Sequence, residues 1–129
     1  MSALAGALVG LGIDSVDVGR FAAVLARRPA LSDRLFTDAE RAYAACLANP
    51  APSLAGRFAA KEAVMKALGV GLGAFAWGDV EVERAPSGAP SLVVGGRAAA
   101  LAADRAVRGW HVSITHTATV ASAVVVAVG

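Results

Sequence analysis

Cysteine, histidine and aromatic residues are scarce in this chain: one Cys, two His, two Trp and one Tyr among 129 residues, with aromatics at 5%. The lone Cys46 forms no intrachain disulfide, which fits a reducing cytoplasm, and no zinc-type Cys/His cluster can be assembled. By itself it reads as a small buried hydrophobe. No apolar run approaches the ~20 residues that a membrane span needs, so no membrane partner is expected. Nor is there a run of Lys or Arg. With 12 basic and 10 acidic residues the formal charge is +2, which argues against a nucleic-acid stripe. Walker and Rossmann glycine patterns are both missing, which removes two common routes to nucleotide binding. The apolar opening MSALAGALVGLGI has no basic residue ahead of it and runs directly into Asp14, so it reads as strand and not as a signal peptide.

What remains is aliphatic and Ala-heavy, 57% hydrophobic overall, enough for one core and one domain over residues 1–129. Leu8 to Val18 carries β-branched residues and glycines and reads as a strand whose end bears Asp14 and Asp17. A carboxylate there points to solvent, accepts backbone hydrogen bonds at a turn, or binds a cation. Gly19 to Arg28 repeats Phe21, Val24 and Leu25 at helical spacing and ends at Pro29, with Arg20, Arg27 and Arg28 on its polar side. Ser32 to Phe36 suggests a short helical turn. Thr37 and Glu40 then form a capping-box start for a helix running to Leu47. Asn49 to Ser53 is a break, with Ser53 available to cap a helix beginning at Leu54.

That helix, Leu54 to Leu68, is the longest helical pattern, closed by Gly69. Phe58, Glu62 and Lys66 recur every fourth residue, as do Arg57 and Lys61, so they form adjacent rows on the helix surface. Further on, Asp79 to Glu83 alternates acid and valine and pairs as a hairpin with Ser91 to Val94, its three acids toward solvent. Gly96 to Val107 reads as helix. Trp110 to Thr115 and the apolar run ending at Val128 read as two strands joined by a turn at His116 to Thr119.

Three of these stretches share their wording with one family. Gly12-Ile13-Asp14, then Phe58-Ala-Ala-Lys61-Glu62-Ala with Lys66 one turn on, and His111-Val-Ser113-Ile-Thr115-His116-Thr117 resemble, in order, the signatures of the 4'-phosphopantetheinyl transferases of the holo-acyl-carrier-protein synthase type. The resemblance covers essentially the whole chain. It implies an α+β fold, with an antiparallel sheet packed on one long central helix. It implies transfer of the 4'-phosphopantetheine arm from coenzyme A to a serine of an acyl carrier protein, with release of adenosine 3',5'-bisphosphate. It also implies Asp14 and Glu62 as Mg2+ ligands, Lys66 on phosphate and His116 beside the cofactor with Thr117. Arg57, Phe58 and Lys61 become coenzyme A contacts, and Arg20, Arg27 and Arg28 a docking face for the acidic carrier. The type is a homotrimer with sites between neighbouring subunits.

The groups present suit that chemistry. Attack of a hydroxyl on a pyrophosphate needs charge neutralisation, alignment and loss of one proton, and two carboxylates suit a hard octahedral cation that keeps several waters. As general base, a carboxylate acting through water and a histidine both stay open. Two departures stand out: Met65 occupies a position where the family often carries a small polar residue, and the 46–54 loop, CLANPAPSL, is short of the basic residues common there. The rival readings are a non-enzymatic oligomeric module that docks an acidic partner, and a different magnesium-dependent phosphate-transfer or phosphate-hydrolysing enzyme.

Overall fold

A computed structural model describes residues 7–129. The part of the strand reading that falls on Met1 to Gly6 lies outside the described residues. The chain runs β1 (Leu8–Asp17), α1 (Val18–Arg27), α2 (Ala30–Leu35), α3 (Asp38–Ala45) and α4 (Ala51–Leu68). A 3₁₀ turn at Trp77–Asp79 leads to β2 (Val80–Arg84), β3 (Pro90–Val94), α5 (Gly96–Asp104), β4 (Gly109–His116) and β5 (Val120–Val128). Strands β1, β5 and β4 form an antiparallel sheet with β5 in the centre, and β2 and β3 form a separate antiparallel pair. Helix α4 lies across the inner face of the larger sheet, so the α+β expectation holds.

The boundaries of α3 and α4 differ from the sequence reading. Helix α4 starts at Ala51, with Pro52 in its first turn where no intrahelical N–H is needed. Ser53 is therefore inside the helix and not its cap. Helix α3 stops at Ala45, its end closed by the N–H groups of Cys46 and Leu47 turning back to Tyr43 and Ala44. The Cys46 thiol is exposed and donates to the Ala42 carbonyl, so it is not a core hydrophobe. The β2 acids also depart in part. Asp79 caps the start of α5 by accepting from the N–H groups of Arg97 and Ala98, and Glu81 accepts from the Thr37 hydroxyl at 2.6 Å. Glu83 alone of the three is exposed.

The contact between α4 and β1 fixes where the polar residues of both elements meet. A Cβ added at Gly12 would stand 1.9 Å from the Ala63 carbonyl oxygen, and one at Gly10 the same distance from that of Ala67. Backbone lies directly on backbone. Four residues separate Ala63 from Ala67, so small residues on one helix row face two glycines on alternate strand positions. Gly12→Ala must push helix and strand apart, at a cost of about 3 kcal/mol or more. Chemical denaturation checks this, with Gly71→Ala, where an added Cβ meets nothing within 4 Å, as the control that stays near wild type.

Helix α4 is buried on nearly all sides. Ala63, Val64, Ala67 and Leu68 join Phe75, Val80, Val125 and Ala127 in the main core, while Leu54 and Ala55 pack with Phe21, Leu35 and Phe36. Met65, 5% exposed, belongs to that main core. An apolar side chain at this position is thus explained by packing.

Candidate active site

Gly12 under Ala63 brings the next residue on the same face of β1, Asp14, alongside the α4 row that carries Glu62 and Lys66. The Lys66 ammonium donates to Asp14 Oδ1 at 3.1 Å and to the Ile13 carbonyl at 2.9 Å. Burial holds the Glu62 carboxyl above the ordinary carboxylate range; the charge of Asp14 pushes the same way and Lys66 opposes both. Two carboxylates therefore share a place, with one cation bonded to Asp14 beside them. Their mutual repulsion and oxygen-only chemistry fit a divalent hard cation. No cluster of three or more metal-ligating side chains occurs among the described residues, so such an ion would complete its shell from water and substrate oxygens.

Phe58 continues the row one turn earlier. Its ring stacks on Trp77 at 5.1 Å and meets Phe21 of α1 at 5.1 Å, with Phe36 edge-on to Phe21 at 6.2 Å. Phe21, Phe58 and Trp77 of this ladder wall a groove of about 710 Å³ between α1, α2 and the 72–77 segment. Arg20, Arg28 and Arg34 border it, while Leu31, Leu35 and the 77% exposed Leu72 add apolar surface. Arg27 is exposed but does not line the groove. Arg34 is absent from the sequence reading, although its position in the LSDRL turn beside Leu31 and Leu35 is the available signal.

The other α4 row goes elsewhere. Lys61 is 0% and Arg57 1% exposed. The Lys61 ammonium pairs with Glu40 Oε1 at 2.8 Å and donates to the carbonyls of Trp77, at 3.0 Å, and Val80. All three of its protons are engaged. Arg57 donates to the Ser53 hydroxyl, lies 4.5 Å over the Tyr43 ring and has its Nε 3.9 Å from Glu40 Oε2. Burial lowers the proton affinity of both cations and Glu40 restores part of it. Arg57 and Lys61, expected on ligand phosphates, are buried in this chain and neutralise a buried carboxylate. Glu40 also accepts from the N–H groups of Thr37 and Val82, each at 3.0 Å, and so ties α3 and β2 to α4. Sequence points to Glu40 as a capping-box residue only, and it fills that role as well.

His116 ends β4 with its ring exposed, its Nδ1 3.4 Å from the Thr117 carbonyl. It lines a recess of about 260 Å³ with Tyr43, Leu47, Pro52, Ser53 and Arg84. Thr117 forms the turn, accepting from the N–H groups of Thr119 and Val120. Within one chain the structure brings Asp14, Glu62 and Lys66 together, whereas His116 sits across α4 from them. No hydrogen bond or ion pair among the described residues joins the two groups.

Comparisons with known proteins agree with this architecture. Residues 10–125 match the family model of the 4'-phosphopantetheinyl transferase superfamily. A holo-[acyl-carrier-protein] synthase of Streptomyces griseus subsp. griseus is 51% identical over 122 residues, covering 95% of this chain and 99% of that one. Among solved structures, the corresponding synthase from Neisseria meningitidis has a TM-score of 0.87 at 26% identity, covering 95% of this chain and 100% of its own. One from Bacillus anthracis, in complex with CoA (3',5'-ADP), has a TM-score of 0.80 at 33% identity, with 95% and 97% covered.

Proposed function

Because the chain belongs to the 4'-phosphopantetheinyl transferase superfamily, we propose that it is a holo-acyl-carrier-protein synthase, moving the 4'-phosphopantetheine group of coenzyme A onto a serine of an apo-acyl carrier protein. One observation carries the site assignment: a glycine-mediated contact places Asp14, Glu62 and Lys66 in one cluster. In the reaction one P–O bond of the pyrophosphate breaks, one forms to the serine oxygen, and a proton leaves. Adenosine 3',5'-bisphosphate is the leaving group.

Asp14 and Glu62 would hold Mg2+, which supplies charge neutralisation for the pyrophosphate. Lys66, with its side chain 53% exposed, can swing from Asp14 to a phosphate oxygen and stabilise charge that builds there. The serine proton passes to a base bordering the reaction. The carboxylate pair and a neighbouring copy's His116 are both of the right type, and Glu62 has the raised proton affinity that suits a base.

A homotrimer accounts for two further features. The outer face of the larger sheet leaves Leu11 at 60% and Ile13 at 61% exposed, beside Val124 and Val126 on β5. An apolar sheet face of this kind is covered when copies associate. Association also lets the Asp14 cluster of one copy face the His116 recess of the next, which a single chain keeps apart. The lone cysteine is consistent with work in the reducing cytoplasm, and no helix among the described residues is long and apolar enough to cross a membrane.

The acidic carrier would dock on the groove bordered by Arg20, Arg28 and Arg34, with Arg27 adding charge nearby. Charge reversal at Arg20 and Arg28 should raise KM for the carrier about tenfold or more while kcat changes little, and should flatten the salt dependence. Reversal at Arg27 should do less, and steady-state kinetics at two ionic strengths separates the cases. The reaction class is tested by following adenosine 3',5'-bisphosphate release from coenzyme A. Release only when an apo-carrier with its serine is present supports transfer. Release without any carrier means hydrolysis, and none with several carriers favours a docking module.

A further inference from the structure

The reaction asks Lys66 to meet a pyrophosphate, yet the fold seats its ammonium on Asp14. Two acceptors of β1 hold it there, Asp14 Oδ1 at 3.1 Å and the Ile13 carbonyl at 2.9 Å. This contact covers a carboxylate oxygen that a divalent cation at Asp14 and Glu62 requires. Resting on the transferase reading, we propose that Lys66 competes with the divalent cation for Asp14 and gives that carboxylate up to the cation when the pyrophosphate of coenzyme A draws the ammonium away. Cation and donor then bind each other's complex more tightly than they bind the free chain.

Helix α4 fixes where this lysine starts and leaves its end free. Lys66 stands in the last turn, four residues after Glu62, so the two side chains are neighbours on one face. Its carbonyl accepts the N–H of Gly69, which turns out of the helix at φ 69°. The backbone is closed into the helix end, while the side chain is 53% exposed. Two of its three ammonium protons are engaged among the described residues. On a flexible four-carbon stem, such a point charge turns readily from one acceptor to another. Lys61, on the same helix, is the opposite case: 0% exposed and tied by Glu40 and two backbone carbonyls, it has no room to leave.

Charge decides what the movable lysine does. Asp14, Glu62 and Lys66 together carry one net negative charge, and Glu62 feels both of its neighbours. A divalent cation entering beside the ammonium would set two cations on one carboxylate, which repel at this range. A pyrophosphate removes the conflict, because it accepts the ammonium and adds oxygens to the cation's shell. With the ammonium half in water, the Lys66–Asp14 pair is weakly held and exchanges partners easily. By linkage, the donor raises affinity for the cation by the factor by which the cation raises affinity for the donor.

Titration of the full chain with Mn2+, a stand-in for Mg2+ read from the paramagnetic signal of the free ion, tests the competition without turnover. Wild type, Lys66→Met and Lys66→Arg are compared with and without coenzyme A. Without coenzyme A, Lys66→Met should bind Mn2+ about tenfold more tightly than wild type. Lys66→Arg, whose guanidinium grips a carboxylate by two bonds, should bind it no more tightly than wild type. The gain in Lys66→Met should persist in added salt, which screens a distant charge more than a contact. Coenzyme A should tighten Mn2+ binding by wild type, and by a smaller factor in Lys66→Met. No gain in Lys66→Met, a gain in Lys66→Arg, a gain that salt abolishes, or an equal effect of coenzyme A on wild type and Lys66→Met overturns the proposal. If the Mn2+ pattern holds while no carrier is modified, the transferase reading fails and the competition at Asp14 stands. If carrier is modified but Lys66→Met binds Mn2+ as wild type does, the competition fails and the transferase reading stands.

Discussion

Glu62→Gln is expected to cut phosphopantetheine transfer at least about 10²- to 10³-fold and, at the same time, to make the metal-free protein more stable at neutral pH. Both effects come from one charge. In the folded chain Glu62 binds its proton more tightly than an unfolded glutamate does, first because it is partly buried and then because Asp14 is beside it. A carboxyl with a raised folded-state pKa contributes stability that is complete below the unfolded value, about 4.3, and is lost as pH rises through the folded value. Near neutrality the wild type has lost that contribution, whereas Gln carries no charge to repel. Thermal melts in chelator should therefore place Glu62→Gln above wild type at pH 7, with the gap closing toward pH 4. Added Mg2+ should raise the wild-type midpoint and leave the variant unmoved. Parallel curves across the pH range, or a variant less stable at pH 7, would contradict the assignment of Glu62 as a repelled site carboxylate.

Glu40→Ala should be the most damaging single change to the fold, at about 3–5 kcal/mol. Its carboxylate is 1% exposed and satisfies Lys61, two backbone N–H groups and the field of Arg57. Removal takes from two buried cations the carboxylate they pair with, leaving Lys61 only the more distant charge of Glu81, and deletes half of a capping box. Set against a typical total of roughly 5–15 kcal/mol, this would bring the protein close to unfolding. Adding Lys61→Met to Glu40→Ala should cost less than the sum of the single changes, because the second substitution removes a charge that the first has orphaned. Urea denaturation of the four proteins measures the coupling. A Glu40→Ala cost below about 1 kcal/mol, the range of an exposed pair, would show that the buried network does not hold α3 and β2 to α4.

Much of this arrangement is readable without coordinates. Alternation and glycine placement give the strands, and Thr37 with Glu40 gives the start of α3. The two rows on α4 come from helical spacing alone. Spacing does not say which row faces inward, and that is why Arg57 and Lys61 read as ligand contacts when they are buried. Their partner, Glu40, is distant in sequence, and the surrounding alanines give no strong apolar face to orient the helix. A helix enclosed on all sides buries its charges when one long-range carboxylate meets them, and no local pattern announces that pairing. Arg84 escapes notice because the strand reading stops at Glu83; one more step of the same alternation places it inward with Val80 and Val82. The separation of His116 from Asp14 is invisible for a different reason. Motif order places blocks along a chain but says nothing of which side of α4 each one reaches.

The most direct measurement is the intact mass of an apo-carrier protein after incubation with coenzyme A, Mg2+ and this protein, beside chelator and Glu62→Gln controls. A gain of ~340 Da, one phosphopantetheine arm, confined to the complete wild-type reaction is the predicted result. An equal gain with chelator or with Glu62→Gln, or no gain from folded protein with any carrier, would contradict the claim that the Asp14–Glu62–Lys66 cluster performs the transfer.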